Sequence, residues 1–331
     1  LHSDSRFSHA AVVIVLFSSV LTGCAGYADF TLPPLASGSH PKTMSLQFAP
    51  QPVIERGSAH DVLNPSVLRV GTQLYNFYSE FDGRVWRTAL ATSIDGIHWD
   101  LGGVVLSPDA QSWEGSYIAA NGSALYDGAT WWYWYQAGPE GAPQIGLARS
   151  SDGHSWRKEP QPVLGFGPRG SWDERGVADP YVIKIGPVFY LYYLGQNRAH
   201  QQQIGLARSS DGLHWTKLRS NPVLTIPQAG SGAPDENGLG EPAVWQAQDS
   251  YWMLYTGRSA TERRSLIAAQ SSDGVHWMRQ PKPFTGDQPW DRAVLCDPTV
   301  LDNRLWFGGG DQPNPAQNLN GQIGVGDITI Q

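Results

Sequence analysis

Cysteine is almost missing from this chain of 331 residues, which has only Cys24 and Cys296. The two cannot staple a folded body, since Cys24 ends an N-terminal apolar run, and no Cys-x-x-Cys metal pair exists. Charge is also sparse. Charged residues make up 16% of the chain and the formal net charge is -7, which argues against the clustered Lys and Arg of a nucleic-acid binder. Beyond residue 24 no apolar run approaches the roughly 20 residues that span a bilayer. His-Glu-x-x-His, a phosphate-binding glycine loop opening a helix and a nucleophilic serine elbow are absent. No helical periodicity separates the strand-like segments, which excludes a barrel of alternating strands and helices.

The chain is instead rich in Gly (37), Pro (24) and Trp (14). Its single long apolar run, "AAVVIVLFSSVLTGC" from Ala10 to Cys24, has the length and small-residue ending of a signal peptide. "LTGC" resembles the lipobox of bacterial lipoproteins, so residues 1–24 are expected to be cleaved and Cys24 lipidated. Residues 25–45, with "TLPPLASGSHPK", read as a flexible tether to the membrane. The expected location is the bacterial cell envelope, or outside the cell if the lipobox is not used.

The rest of the chain is repetitive. "LATSIDGIHW", "LARSSDGHSW", "LARSSDGLHW" and "IAAQSSDGVHW" place Asp95, Asp152, Asp211 and Asp273 at steps of 57, 59 and 62. A second series, "NPSV", "NGSA", "DPYV", "EPAV" and "DPTV", begins at Asn64, Asn121, Asp179, Glu241 and Asp297. Five units of nearly equal length predict propeller blades. Each has an aromatic strand such as "TWWYWYQA" after the second series. The Asp-Gly decapeptide suits a tight hairpin, and its Trp suits packing between sheets. It is similar to the Asp-box of sialidases and is read as structural. The predicted fold is therefore all-β, a five-bladed β-propeller over residues 46–331. Its last blade is expected to be closed by the N-terminal strand around "LQFAPQPVIERG", which satisfies otherwise unpaired edges.

Inner strands of a propeller line its axis, so Asn64, Asn121, Asp179, Glu241 and Asp297 are expected to head those strands and converge on one mouth. Paired carboxylates there suit glycosidic bond cleavage, one protonated and one ionised. Glu241 is the expected acid, because it is the longest carboxylate of the series and follows the long loop "TIPQAGSGAPDENGLG". Asp179 and Asp297 are candidates for base and modulator. Asp61, with His60 beside it, is a further candidate base displaced from position 64. The segments "SWEGSYIAANG", "SWDERGVADP" and "PWDRAVLCDP" align Trp113, Trp172 and Trp290, with Glu114, Arg175 and Arg292 nearby. These indoles either clasp the loop structurally or form a sugar platform, and the arginines either bind hydroxyls or close salt bridges. No cofactor is required by this chemistry and no metal ligand set is assigned, although the acidic ring leaves open a structural calcium.

On these residues the chain resembles the five-bladed propeller glycoside hydrolases of family 43 and the fructosidase families 32 and 68. The resemblance rests on Asp-Pro at Asp179 followed one blade later by Glu-Pro at Glu241, and it covers residues 46–331. It implies an oligosaccharide partner, with Asp179 as modulator and Glu241 as acid. It also implies hydrolysis of terminal arabinofuranosides, xylosides or related plant or algal sugars, inverting in family 43. The family's base is expected one blade before Asp179, where this chain has Asn121; Glu114, Asp61 and Asp297 are the substitutes at hand. A glycan-binding lipoprotein without turnover is the alternative expectation.

Overall fold

The computed structural model describes residues 26–35 and 41–331, so the expected leader and its Cys24 lie outside the described residues. Among the described residues every regular element is a strand. Two short strands come first, β1 (Tyr27–Ala28) and β2 (Met44–Phe48). The first unit follows as β3 (Asp61–Val70), β4 (Gln73–Phe81), β5 (Trp86–Ser93) and β6 (Asp100–Leu106). The second is β7 (Ile118–Tyr126), β8 (Trp131–Ala137), β9 (Gln144–Ser150) and β10 (Arg157–Lys158). The third is β11 (Gly176–Ile185), β12 (Val188–Gln196), β13 (Gln202–Ser209) and β14 (Thr216–Leu218). The fourth is β15 (Gly238–Ala247), β16 (Ser250–Arg258), β17 (Arg264–Ser271) and β18 (Met278–Arg279). The last is β19 (Val294–Leu301), β20 (Arg304–Gly310) and β21 (Gln322–Ile330), with β2 antiparallel to β21 from Met44 opposite Ile330 to Phe48 opposite Gly326.

Consecutive strands within a unit pair antiparallel. Short parallel bridges join β5 to β7 and β17 to β19, which merges the first two units into one sheet and the last two into another. Among the described residues no sheet closes on itself through hydrogen bonds. The leading strands nevertheless adjoin in a cycle: β3 meets β7, β7 meets β11, β11 meets β15, β15 meets β19, and β19 meets β3.

The second strand of each unit is paired on both edges and covered on both faces, which is why its sequence is a run of aromatics rather than an alternation. Trp134, Tyr135, Tyr192, Tyr193, Trp252, Tyr255, Trp306 and Phe307 are all buried. The decapeptides lock neighbouring units together. In the first, Gly96 N donates to Ser93 Oγ (2.9 Å), and the N–H groups of Ile97 and His98 donate to Asp95 Oδ1 (both 2.8 Å). The same bonds recur around Asp152, Asp211 and Asp273. The glycines sit at φ of 72–76°, where any side chain is strained. The indoles then pack edge-on against the preceding unit: Trp99 on Trp306, Trp156 on Phe77, Trp215 on Trp134 and Trp277 on Tyr192. Trp306 Nε1 also donates to Gly96 O at 2.9 Å, so the first and last units are tied as the others are.

Residues 26–35 differ from the expected tether. β1 adds in parallel to β14, Leu32 is fully buried against Gly274, and Tyr251 Oη donates to Pro33 O at 2.7 Å. Phe30, Leu32 and Leu35 together supply an apolar face that docks on the third and fourth units, where a tether would stay solvated.

Candidate active site

The five residues of the second repeat series occupy one structural position. Each is the fourth residue of its unit's leading strand, not the first as expected. Each lies at a break in register with the second strand: between Leu63 and Ser66, Ala120 and Ser123, Ala178 and Tyr181, Gly240 and Ala243, and Cys296 and Thr299. Their φ angles are 49° (Asn64), 49° (Asn121), 46° (Asp179), 50° (Glu241) and 52° (Asp297). A bulge re-aims the side chain, here toward the axis, and the left-handed backbone costs roughly 1–3 kcal/mol at each non-glycine position. Asn and Asp tolerate this region best, which accounts for four of the five residue types. The following proline cannot donate to a ladder and belongs at such a break. In the second unit it is Gly122, where a Cβ would stand 2.3 Å from the Tyr133 ring and 2.5 Å from Trp134 O.

Asn64, Asn121, Asp179 and Glu241 face a cavity of about 250 Å³, and the same four with Asp297 line a narrow space below it. The ring is cross-bonded. Asn121 Nδ2 donates to Asp179 Oδ1 (3.2 Å), and Asn64 Nδ2 donates to Asp297 Oδ1 (2.6 Å). Asp297 N donates to Thr256 Oγ1 (3.1 Å) and to Glu241 Oε2 (3.3 Å). Cys296 Sγ reaches Asp297 Oδ2 at 2.9 Å. Glu241 thus lies between two other carboxyls and 3.8 Å from Arg264 Nη1.

Close carboxyls in a poorly hydrated site cannot all ionise. Burial, and then the charge on Glu241, pushes Asp179 up to about 7, although the Asn121 amide and Arg264 oppose this. Burial and Glu241 likewise hold Asp297 well above the usual carboxylate range. Burial raises the Cys296 thiol, as do the carboxyls beside it. Burial alone would lower Arg264, but Glu241, Cys296 and Asp297 outweigh it and raise the guanidinium. Both shifts favour the protonated form of the Asp179 and Asp297 carboxyls. Glu241, Cys296 and Asp297 offer ligand atoms within 4.8 Å of one another, yet Arg264 presses a fixed positive charge on the same group and disfavours a cation there.

Among the remaining expected residues, none lines this cavity. Asp61 is fully buried, and its carboxylate accepts the N–H groups of Asn318 (2.5 Å), Leu319 (2.8 Å) and Gly321 (2.9 Å), anchoring the loop before β21. His60 is exposed and bonds Asn318 Oδ1 through Nδ1 at 3.0 Å. Trp113, Trp172 and Trp290 lie flat over glycines instead of offering a platform. Trp113 covers Gly146, Trp172 covers Gly195 and Gly205, and Trp290 covers Gly309 and Gly324. Glu114 is buried between Tyr135 Oη and Lys158 Nζ, both at 2.5 Å. The same clasp recurs as Asp173 with Tyr193 and Lys217, and as Asp235 with Tyr255 and Arg279. Arg175 and Arg292 are exposed outside the cavity.

The cavity wall comes from residues that sequence reasoning missed: Trp86, Tyr117, Gln136, Gln202, Arg258 and Arg264. A signal for three of them existed. Trp86, Gln202 and Arg264 each open the third strand of their unit, and that position changes from unit to unit while the residues after it repeat.

The model of the glycosyl hydrolases family 32 N-terminal domain matches residues 73–219 and 120–296. Two uncharacterized proteins of Mycobacterium tuberculosis, from strains CDC 1551 and H37Rv, are each 30% identical over 161 residues, 44% of this chain. The chain spans about half the length of these curated relatives, 52%. Among solved structures, the RGII complex of BT0996 is 17% identical with a TM-score of 0.69, covering 91% of this protein and 92% of that one. The family 117 glycoside hydrolase Zg3597 of Zobellia galactanivorans is 19% identical, with a TM-score of 0.64 and coverage of 87% and 90%. A thermostable family-43 glycoside hydrolase is 17% identical, with a TM-score of 0.61 and coverage of 81% and 88%. These structural likenesses concern the fold, an all-β architecture of the propeller type found in glycoside hydrolases. Because the matched model spans residues 73–296, most of the chain, the protein belongs to the glycosyl hydrolases family 32 N-terminal domain family.

Proposed function

We propose that this protein is a glycosidase that removes terminal sugars from oligosaccharides of plant or algal type, with Asp179 and Glu241 as its acid–base pair. The scaffold of the proposal is a five-bladed propeller whose last blade is completed by β2. The observation that carries it is a cavity-facing carboxyl, Asp179, raised to about 7 by burial and by the charge of Glu241 on the neighbouring unit, so that it can supply a proton near neutral pH. Glu241, the longer side chain, passes that proton to the leaving oxygen as the glycosidic C–O bond breaks. Asp179 reloads it, and Arg264 stabilises the carboxylate left behind. A water molecule attacks the anomeric carbon and gives its proton to the Asp179 carboxylate, so that sugar and alcohol are released and the pair is reset. Asp297, fixed by Asn64, keeps Glu241 in place. Trp86 and Tyr117 supply apolar faces for a sugar ring, and the amides of Asn64, Asn121, Gln136 and Gln202 supply partners for its hydroxyls.

The test is a series of aryl glycosides whose leaving groups differ in acidity, hydrolysed by wild type and Glu241→Gln. An acid role predicts a loss of about 10²–10⁴-fold for poor leaving groups and a much smaller loss for the best ones. An equal loss across the series would refute that role. The anomer first released, followed by NMR, separates inversion from retention.

We further propose that a lipid on Cys24 holds the enzyme in the bacterial cell envelope, on the strength of "LTGC" after an apolar run. Labelling with a radioactive fatty acid should be lost in Cys24→Ser, and label retained in that variant would contradict the anchor.

A further inference from the structure

Beside the carboxyl pair, the cavity wall carries two guanidinium groups, Arg258 at the end of β16 and Arg264 at the start of β17. Arg264 is 9% exposed and Arg258 has 18% of its side chain exposed. Arg264 has a side-chain hydrogen bond with Cys296, and the bonds of both arginines to nearby carbonyls are long. Arg264 donates to Asn314 O (3.3 Å) and Pro315 O (3.0 Å), while Arg258 donates to Pro315 O and Asn237 O (both 3.3 Å). The Nε of each is buried with no hydrogen-bond partner among the described residues. Glu262 Oε2 lies 3.2 Å from Arg258 Nε but is not aligned to bond it, and Glu241 lies 3.8 Å from Arg264.

Two adjacent positive groups repel each other, and a buried N–H left without an acceptor is destabilising. Neutral amides would hold the carbonyls of residues 314 and 315 without that repulsion. Both guanidinium groups also line the open cavity, where their planar donor fork suits an anionic acceptor with several oxygens. We infer that Arg258 and Arg264 form an oxyanion subsite next to the carboxyl pair, for a carboxylate, sulfate or phosphate group. Its place in a reaction rests on the glycosidase reading above; the binding does not.

Such a group has two sources. It is either an acidic substituent on the sugar or free inorganic phosphate in the place of water. In the second case a phosphate oxygen bonds the anomeric carbon as the glycosidic C–O bond breaks. The leaving oxygen takes a proton from Glu241 and the attacking hydrogen phosphate returns one to Asp179, giving a sugar phosphate and an alcohol with no change of oxidation state.

Calorimetric titration of the full chain with inorganic phosphate and with sulfate, at constant ionic strength, tests the subsite. Saturable binding is expected. Arg258→Gln, at a partly exposed position, should weaken it about tenfold or more. Glu262→Gln, which removes the competing carboxylate, should tighten it severalfold, a result that a purely structural pair of arginines would not give. No saturable binding, or equal affinity in wild type and Arg258→Gln, overturns the inference, the latter marking an adventitious ion only. Two kinetic arms identify the source. Sugar phosphate formed only when phosphate is added points to the free anion, whereas preference for aryl uronides over neutral aryl glycosides points to the substituent. Oxyanion binding without cleavage of any glycoside would leave the subsite standing and sink the glycosidase reading instead.

Discussion

Asp179→Asn is the cleanest perturbation of the ring. Asn already occupies the equivalent bulge at positions 64 and 121, with φ of 49° against 46° at Asp179, so the backbone accepts it. Its Oδ1 can still take the Asn121 bond. What changes is the proton. Asp179 is raised from 3.8 to about 7 in the folded protein, so between those values the native state holds a proton that the unfolded chain does not. A raised carboxyl favours the fold below its unfolded pKa, and that advantage is lost as pH climbs through the folded value. The gap between 3.8 and about 7, at about 1.4 kcal/mol per pH unit, sets a ceiling of about 4 kcal/mol. Solvent in the cavity screens part of it, so about 1–3 kcal/mol is expected. Asn cannot ionise and escapes the loss. The melting temperature of Asp179→Asn minus that of wild type should therefore rise between pH 4 and pH 8, by several degrees for a domain of this size. Scanning calorimetry at fixed ionic strength measures it. A difference that stays flat, or falls, would refute a raised Asp179 carboxyl.

Other outcomes follow from the packing. Lys217→Met strands the buried Asp173 carboxylate, whose oxygen it meets at 2.6 Å, and should cost about 3–5 kcal/mol by urea unfolding; Asp173→Asn added to it should recover part of that loss. Gly122→Ala drives a methyl group into the Tyr133 ring and Trp134 O, so a loss of about 1–3 kcal/mol is expected in the same assay. Asp61→Asn keeps only one acceptor oxygen for three loop N–H groups, and the amides of Asn318, Leu319 and Gly321 should exchange faster with deuterium while β8 and β12 stay protected.

The parts of this molecule that repeat were legible in the sequence, because symmetry writes the same physical demand several times. The Ser-x-Asp-Gly hairpins, the aromatic second strands and the pairing of β2 with β21 all follow from residues seen at regular spacing. So does the convergence of Asn64, Asn121, Asp179, Glu241 and Asp297, since a change of side chain on a constant strand marks the position that faces the axis. Direction was harder. A Trp beside an acid reads equally as platform or clasp, and only the glycine pairs on adjacent strands, such as Gly195 with Gly205, reveal that Trp172 lies inward over them. Asp61 looked like a displaced base because a lone sequence cannot show that three backbone N–H groups some 260 residues away converge on it. Arg258 and Arg264 were missed for a related reason. They frame the turn between β16 and β17, and only the stacking of one unit on the next brings that turn over the ring. Residues 26–35 looked like a tether because proline-rich composition masks a face of only three apolar side chains.

The central claim is that Asp179 and Glu241 act together on one bound sugar. The most direct test is kcat/KM of wild type, Asp179→Asn and Glu241→Gln, each confirmed folded, on the best substrate found in an oligosaccharide panel. The account predicts that wild type releases a terminal sugar, that each variant loses about 10²-fold or more, and that the double variant loses little beyond the worse single one. Turnover near the wild-type rate in either variant would contradict it.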